Sequence, residues 1–423
     1  WRIAYEATVA LGRFAPLLRQ ERGAAPALTQ ALTALRAAVE NPSPHVRAGA
    51  MEALAGFSDE DDVLTLLQRG RLDLSVSVRA AALRTRVKLS APADALETLA
   101  RGAKDDDPVV RAAAADAAGA SEDPAVVPIL LQLARDPSLF VATRAVEQLG
   151  AHPGDEARRA LHGFLAHADN GVRLAAVLAL KEMASPDDAS VLALAAGTSQ
   201  GDIGAEVAFN ALEVLAKIAT PEARATVEAA QDDARPHVRA VARRLMRDTF
   251  GATPRSEEPA LAEPLPLPVP GKDHPLYRFN PLVELDTTRG TMVFELFPLE
   301  APLHVHNFLT LIERGAYDGL TFHRVVPDFV IQGGDHRGDG NGARPWQGDA
   351  LRAEFTPRKY TRGSLGMPRN EDPDSGGSQF FVTHLPTPHL DGRYTIFGEL
   401  RAGGEVLDQL EIGDRILSAK LLR

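Results

Sequence analysis

The sequence predicts a multi-domain chain, an all-α solenoid of paired helices followed by a β-rich domain, and three observations predict it. A valine-to-alanine pattern recurs at nearly constant spacing through the first 250 residues. It stops at a proline-rich break. Beyond the break, short apolar runs alternate with turns rich in Gly, Pro and Asp, as strands require.

The repeat is anchored by Val46, Val78, Val110, Val141, Val172, Val207 and Val238, separated by 32, 32, 31, 31, 35 and 31 residues. Four residues after each anchor stands alanine (Ala50, Ala82, Ala114, Ala145, Ala176, Ala211, Ala242), which shares a helix face with it and lets a neighbouring helix approach closely. Five residues before the anchor stands Asn41, Asp73, Asp105, Asp136, His167, Asp202 or Asp233, a pattern that predicts helix N-caps there. Arginine follows the anchor at Arg47, Arg79, Arg111, Arg173 and Arg239, and with the aspartates is expected to tie adjacent turns together. The pattern resembles HEAT-like repeats, antiparallel helix pairs stacked into a solenoid, and residues 1–250 are assigned to it. Such a solenoid is expected to bind a protein partner.

Ile3, Ala7 and Leu11-Gly12 fit the template of Val141, Ala145 and Leu149-Gly150, so the chain opens inside the second helix of a repeat. It begins without methionine, and a fragment with further repeats upstream is the expectation. Residues 251–278 read as a linker, because Glu263-Pro-Leu-Pro-Leu-Pro-Val-Pro-Gly271 favours an extended polyproline II spacer. Its Leu-Pro and Val-Pro bonds are chemically of the type that the second domain, as read below, would act on.

Composition narrows the function classes. The formal charge of −11 is shared fairly evenly between the halves, so neither carries the basic excess that phosphate binding needs, and nucleic acid is not an expected partner. No apolar run is long enough to span a bilayer. With no cysteine, disulfides, thiolate metal sites and cysteine nucleophiles are excluded. His304 and His306, like His323 and His336, lack the spacing that would converge on one ion, and neither metal nor cofactor is expected. Only 7 of the 46 basic residues are lysine, which points to a GC-rich bacterial source. The residues do not specify the compartment, and the lean is to the periplasm or cell envelope over the cytoplasm.

The second domain, residues 279–423, opens with a predicted hairpin, Leu282–Leu285 and Thr291–Phe297. A helix follows, with Pro302 in its first turn, Val305, Phe308, Leu309 and Ile312 at helical spacing, and Gly315 at its end. Several short strands, a second helix near Glu405–Leu410 and a last strand near Ile416–Leu422 complete it. Phe322-His-Arg-Val-Val-Pro-Asp-Phe-Val-Ile-Gln-Gly-Gly-Asp335 and Gly377-Ser-Gln-Phe-Phe381 place an arginine, glutamines and apolar side chains on alternating strand positions, as an apolar pocket with one cationic wall requires. Such a pocket suits a proline ring.

These two stretches resemble the cyclophilin family of peptidyl-prolyl cis/trans isomerases. The resemblance implies a closed eight-stranded antiparallel β-barrel capped by two helices and rotation of X-Pro bonds in proline-containing protein clients. Arg324 is then the catalytic donor. Phe329, Val330, Phe381 and Leu390 form the proline pocket, and Gln332 and Gln379 hold Arg324 and the peptide in register. The Met367-Pro-Arg-Asn370 segment, with Pro368, Arg369 and Asn370, binds the substrate chain through its backbone. Tyr394 lines the pocket, and Gly340 lies in the glycine-rich loop that borders it. Arg369 stands where family members often carry asparagine. His389 stands where well-known members carry a tryptophan that contacts cyclosporin, so weak cyclosporin binding is expected. Phe322, Phe380 and Phe397 are expected in the barrel core, while Asp328, Asp335 and Glu354 are assigned to turns and salt bridges. The alternative is a non-catalytic module that grips proline segments on a repeat scaffold. A retained transition-state donor at Arg324 argues against it.

Overall fold

The computed structural model describes residues 1–20, 25–58, 62–200, 203–255, 279–342, 345, 350–370 and 372–422. The linker stretch Glu263–Gly271 and Asp202 lie outside them. The chain forms two compact units, one of Trp1–Ser199 and Gly204–Ala252 and a second that includes Thr253–Arg423. Among the described residues no helix is long and apolar enough to cross a membrane.

The first unit is helical throughout. Its helices are α1 (Arg2–Leu18), α2 (Ala25–Ala38), α3 (Pro44–Ala53), α4 (Val63–Gly70), α5 (Val76–Leu89), α6 (Pro92–Gly102), α7 (Pro108–Gly119) and α8 (Val127–Leu133). They continue as α9 (Leu139–Gln148), α10 (Asp155–Phe164), α11 (Asn170–Glu182), α12 (Ala189–Thr198), α13 (Gly204–Ile218), α14 (Pro221–Ala229) and α15 (Pro236–Asp248). The odd-numbered helices from α3 to α15 carry the anchors and pack each on the next in one continuous layer. The anchor valines are at most 2% exposed and the alanines four residues on at most 1%, so one buried stripe recurs from repeat to repeat. Helix α1 packs on α3 in the same manner, and Gly12 and Gly150 take equivalent places. A Cβ on Gly12 would lie 2.6 Å from Ala53 Cα, and one on Gly150 2.9 Å from Ala179 Cα. Ile3 differs from the other anchors. It is 90% exposed.

The aspartates ahead of the anchors are not N-caps. The cap positions fall two residues later, at Ser43, Ser75, Asp107, Ser138, Asp169 and Arg235. What the earlier residue does is accept the backbone amide of the cap residue: Asn41 from Ser43, Asp73 from Ser75, Asp105 from Asp107, Asp136 from Ser138, His167 from Asp169, and Asp233 from Arg235. This leaves the other carboxylate edge for the preceding repeat. Arg47 forks onto Asp73 at 2.8 Å, Arg79 onto Asp105 at 3.2 Å, and Arg111 onto Asp136 at 2.7 and 2.9 Å. Each arginine also donates to two carbonyls of its own turn, Arg47 to Asn41 and Pro42, Arg79 to Asp73 and Leu74, and Arg111 to Asp105 and Asp106. A planar five-donor fork can do both at once; lysine could not. No arginine follows Val141, and Arg173 donates to the His167 carbonyl and to Ser199 Oγ.

These contacts make the unit acid-sensitive. Burial works to raise the Asp73 carboxyl, but the Arg47 and Ser75 donors outweigh it and hold it below the ordinary value. The bond from Arg235 does the same for Asp233. A carboxylate depressed on folding contributes stability that is complete above its unfolded pKa, about 3.9, and is lost as pH falls through the lower folded value. The helical melting temperature is therefore expected to be lower at about pH 3 than at about pH 6. Far-UV circular dichroism checks this, and equal midpoints would remove the ladder from the stability account.

The second unit is built on an eight-stranded antiparallel sheet in the order β3-β4-β6-β5-β7-β2-β1-β8. The strands are β1 (Leu282–Thr287), β2 (Gly290–Leu296), β3 (Arg324–Val326), β4 (Val330–Gly333), β5 (Ser364–Gly366), β6 (Phe380–Thr383), β7 (Ile396–Ala402) and β8 (Ile416–Leu422). The sheet curls until its two ends meet. A bridge between Thr321 and Arg415, with the Ile416 amide on the Leu320 carbonyl and the Phe322 amide on the Asp414 carbonyl, closes β3 against β8. Closure removes the sheet edges that would otherwise invite pairing with another chain.

Inside, Phe294, Phe308, Phe322, Phe380 and Phe397 are at most 1% exposed, and Phe308 packs edge-on against Phe380 and Phe397 at 5.6 and 5.4 Å. Phe308 comes from α16 (Pro302–Glu313), whose N-terminal amides at Leu303 and His304 are capped by Glu354. The last helix, α17 (Gly404–Leu407), is shorter than the stretch read from the sequence. It is one turn, started by Gly403 at φ 89°.

Candidate functional site

Side chains alternate across a strand, so the strands that send Ile331, Phe380 and Phe397 into the barrel core send their neighbours outward. Those neighbours, Val330, Phe381 and Ile396, form a second apolar cluster with Phe297, Tyr360 and Leu390, and Phe329 and Tyr394 pack against it. The site is the outer surface of this cluster.

Register places the polar groups. Arg324 on β3 stands opposite Gln332 on β4, and Gln332 opposite Phe381 on β6. Cation, amide and ring therefore lie side by side on adjacent strands. The turn joining β3 to β4 is tight, with Asp328 at φ 60° and the Phe329 amide on the Val326 carbonyl at 3.1 Å. That turn brings Phe329 back beneath the arginine, whose guanidinium carbon is 5.8 Å from the ring centre.

A cleft of about 240 Å³ results, lined by Arg324, Phe329, Val330, Gln332, Pro368, Arg369, Phe381, Leu390 and Tyr394. The remaining sequence candidates stand around it. The His389 ring stacks on Phe329 at 5.4 Å. Asn370 lies in the exposed loop beyond Arg369, its amide on Ser375 Oγ and its side-chain oxygen accepting from Asp372.

Gln379 and Gly340 act behind the cleft. The Gln379 side chain donates to the Gly340 and Gly342 carbonyls at 2.9 and 2.7 Å and accepts from Gln332 Nε2 at 2.8 Å. Gln332 Oε1 in turn accepts from Arg324 Nη1 at 3.4 Å, the longest link in the relay. The glycine-rich loop is itself pinned, because the buried Asp335 carboxylate accepts the amides of Arg337, Asp339 and Gly340. Loop, glutamine pair and arginine thus form one chain of bonds that aims the guanidinium along the wall. Gln379 is 8% exposed, so its part is to hold Gln332.

Two neighbours were given no part in the site by the sequence, Tyr360 and the His323 set aside above as a metal ligand. Tyr360 stacks on Phe381 at 5.6 Å and donates its hydroxyl to the Thr395 carbonyl. Burial pushes its phenol pKa far up, so it remains a donor at every working pH. His323 is buried beside the loop, and burial, opposed by the Asp335 and Asp339 charges, holds its pKa below the ordinary value. An imidazole so depressed is neutral at neutral pH and adds no charge next to Arg324. Neither residue carries a periodic signal that would single it out.

The arrangement is an apolar slot with a fixed, permanently charged donor on one wall. No carboxylate or histidine is among its described lining residues, and X-Pro rotation needs no general base. The barrier of ~18–20 kcal/mol comes from delocalisation of the imide lone pair into the carbonyl. In the twisted transition state that lone pair sits on nitrogen, and a donor fixed to meet it binds the twisted form better than either planar one.

Comparison with known proteins agrees with this chemistry. The cyclophilin type peptidyl-prolyl cis-trans isomerase family matches residues 282–421, and HEAT repeats match 64–150 and 130–213. The chain is 43% identical over 122 residues to a peptidyl-prolyl cis-trans isomerase-like 1 of Gibberella zeae, covering 29% of this chain and 75% of that protein. It is 41% identical over 146 residues to a peptidyl-prolyl cis-trans isomerase-like 2 of Cryptococcus neoformans, covering 34% of this chain and only 25% of that longer one. A solved cyclophilin type peptidyl-prolyl cis-trans isomerase of Cryptosporidium parvum is similar at 33% identity and a TM-score of 0.33, covering 34% of this chain and 99% of that structure.

Proposed function

The chain belongs to the cyclophilin-type peptidyl-prolyl cis-trans isomerase family, and from that premise we propose that its barrel rotates X-Pro bonds in protein clients gathered by the helical repeats. The observation that carries the proposal is Arg324, whose guanidinium lines the same cleft as Phe329, Val330, Phe381 and Leu390. A proline ring seated on those side chains puts its imide nitrogen beside the one donor that needs no proton transfer to act. Gln332 and Gln379 support that donor, while Pro368, Arg369, Asn370 and Tyr394 form the wall along which the client backbone runs. The repeats match a family of stacked helix pairs, and such solenoids work as extended protein-binding surfaces.

The test is two-dimensional NMR exchange on an Ala-Pro peptide. Cis and trans signals interconvert over tens of seconds unaided. With a catalytic quantity of the protein, exchange cross-peaks are expected within the mixing time. Unaltered exchange at saturating protein would reduce the barrel to a binding module.

The mouth of the cleft bears on inhibition. The His389 imidazole on Phe329 offers less apolar area than the indole expected at that place in well-known relatives. Cyclosporin inhibition of the exchange is expected at micromolar concentrations or weaker. A nanomolar inhibition constant would show that His389 does not occupy the contact assigned to it.

A further inference from the structure

The cleft carries a second fixed cation. Arg369 follows β5, and its guanidinium carbon lies 4.8 Å from the centre of the Tyr394 ring. Its Nε donates to the Arg393 carbonyl at 3.2 Å and its Nη1 to the Asn370 carbonyl at 2.8 Å. Aromatic face and backbone acceptors together hold the charge at the mouth. Arg324 and Arg369 thus both line the slot, and no carboxylate is among its described lining residues.

Among the described residues, three nearby acids bind loop backbone. Asp372 accepts the Asp374 amide, Asp374 accepts the Ala353 amide, and Asp391 accepts the Tyr360 amide. Each of these carboxylates is committed to the backbone of a loop. Among the described lining residues the slot's charge is therefore that of two guanidiniums.

We propose that Arg369 determines specificity, so that the site favours prolines flanked by aspartate or glutamate and disfavours those flanked by lysine or arginine. The proposal rests on the isomerase reading above. An exposed charge pair changes binding by a factor of about two to five, and attraction and repulsion multiply in a ratio. A Glu-Pro-Glu peptide is expected to exceed its Lys-Pro-Lys counterpart about tenfold in kcat/KM at low salt. The ratio should fall towards one near 1 M salt, where the screening length shrinks to about 3 Å.

The experiment measures NMR exchange for Glu-Pro-Glu, Lys-Pro-Lys and Ala-Pro-Ala peptides with the whole chain, at low and high salt. R369Q should shrink the ratio and R369E should invert it. The wild-type salt dependence decides the matter even if a variant folds poorly. Equal kcat/KM for the two charged peptides at low salt, with Ala-Pro-Ala turned over, overturns this proposal alone. Failure to turn over Ala-Pro-Ala overturns the isomerase reading and this proposal with it.

Discussion

Replacing Arg324 by alanine is expected to lower kcat/KM for an Ala-Pro peptide by about a hundredfold or more, with the fold intact. Arg324 is exposed at the end of a three-residue strand and its side chain plugs no core, so truncation opens no cavity. What disappears is the donor that meets the imide lone pair only when the peptide is half turned. Removing a preorganised transition-state donor typically costs ~10²–10³ in rate. R324K is the informative companion, because it keeps a charge on the wall while losing the planar fork that Gln332 holds. It should recover little of the loss. Exchange rates for the two variants and the parent, with barrel folding checked by near-UV circular dichroism, decide the point. An R324A protein within about threefold of the parent would move catalysis to another group or to simple desolvation in the slot.

Much of this was legible because it repeats or alternates. The anchor valines could be read in order because each second helix buries the same stripe against the same neighbours, and burial is what selects valine and alanine there. Arg324, Gln332 and Phe381 were legible because a strand turns alternate residues to opposite faces, and register then sets them side by side. The N-cap reading failed for a specific reason. A side-chain oxygen that caps a helix and one that accepts the amide two residues on come from the same short list of residues, and only a displacement of two positions separates them. Ser75, not Asp73, caps α5. Several contacts around the cleft stayed hidden for another. Tyr360 reaches Phe381 across the sheet, Arg369 finds Tyr394 from a different loop, and Gln379 bonds backbone carbonyls, which no side-chain identity announces.

The same displacement makes the solenoid vulnerable at single residues, most of all at Arg111. Its partner Asp136 has a side chain only 8% exposed, and Arg111 itself is 15% exposed. In R111A the Asp136 carboxylate keeps the Ser138 amide and loses both guanidinium bonds, while the Asp105 and Asp106 carbonyls each lose a donor. Removing one partner from a largely buried pair costs about 3 kcal/mol. In a unit of this size that corresponds to a melting temperature lower by ~6–12 °C. The helical signal should fall at the new midpoint, and peptide exchange by the barrel at room temperature should stay at the parent rate. A double variant, R111M with D136L, separates charge isolation from lost packing, since well-packed apolar substitutes for a buried pair are often neutral. Recovery of most of the lost melting temperature is expected. If R111A melts within about 1 °C of the parent, the ladder is a surface ornament and valine–alanine packing alone stacks the repeats.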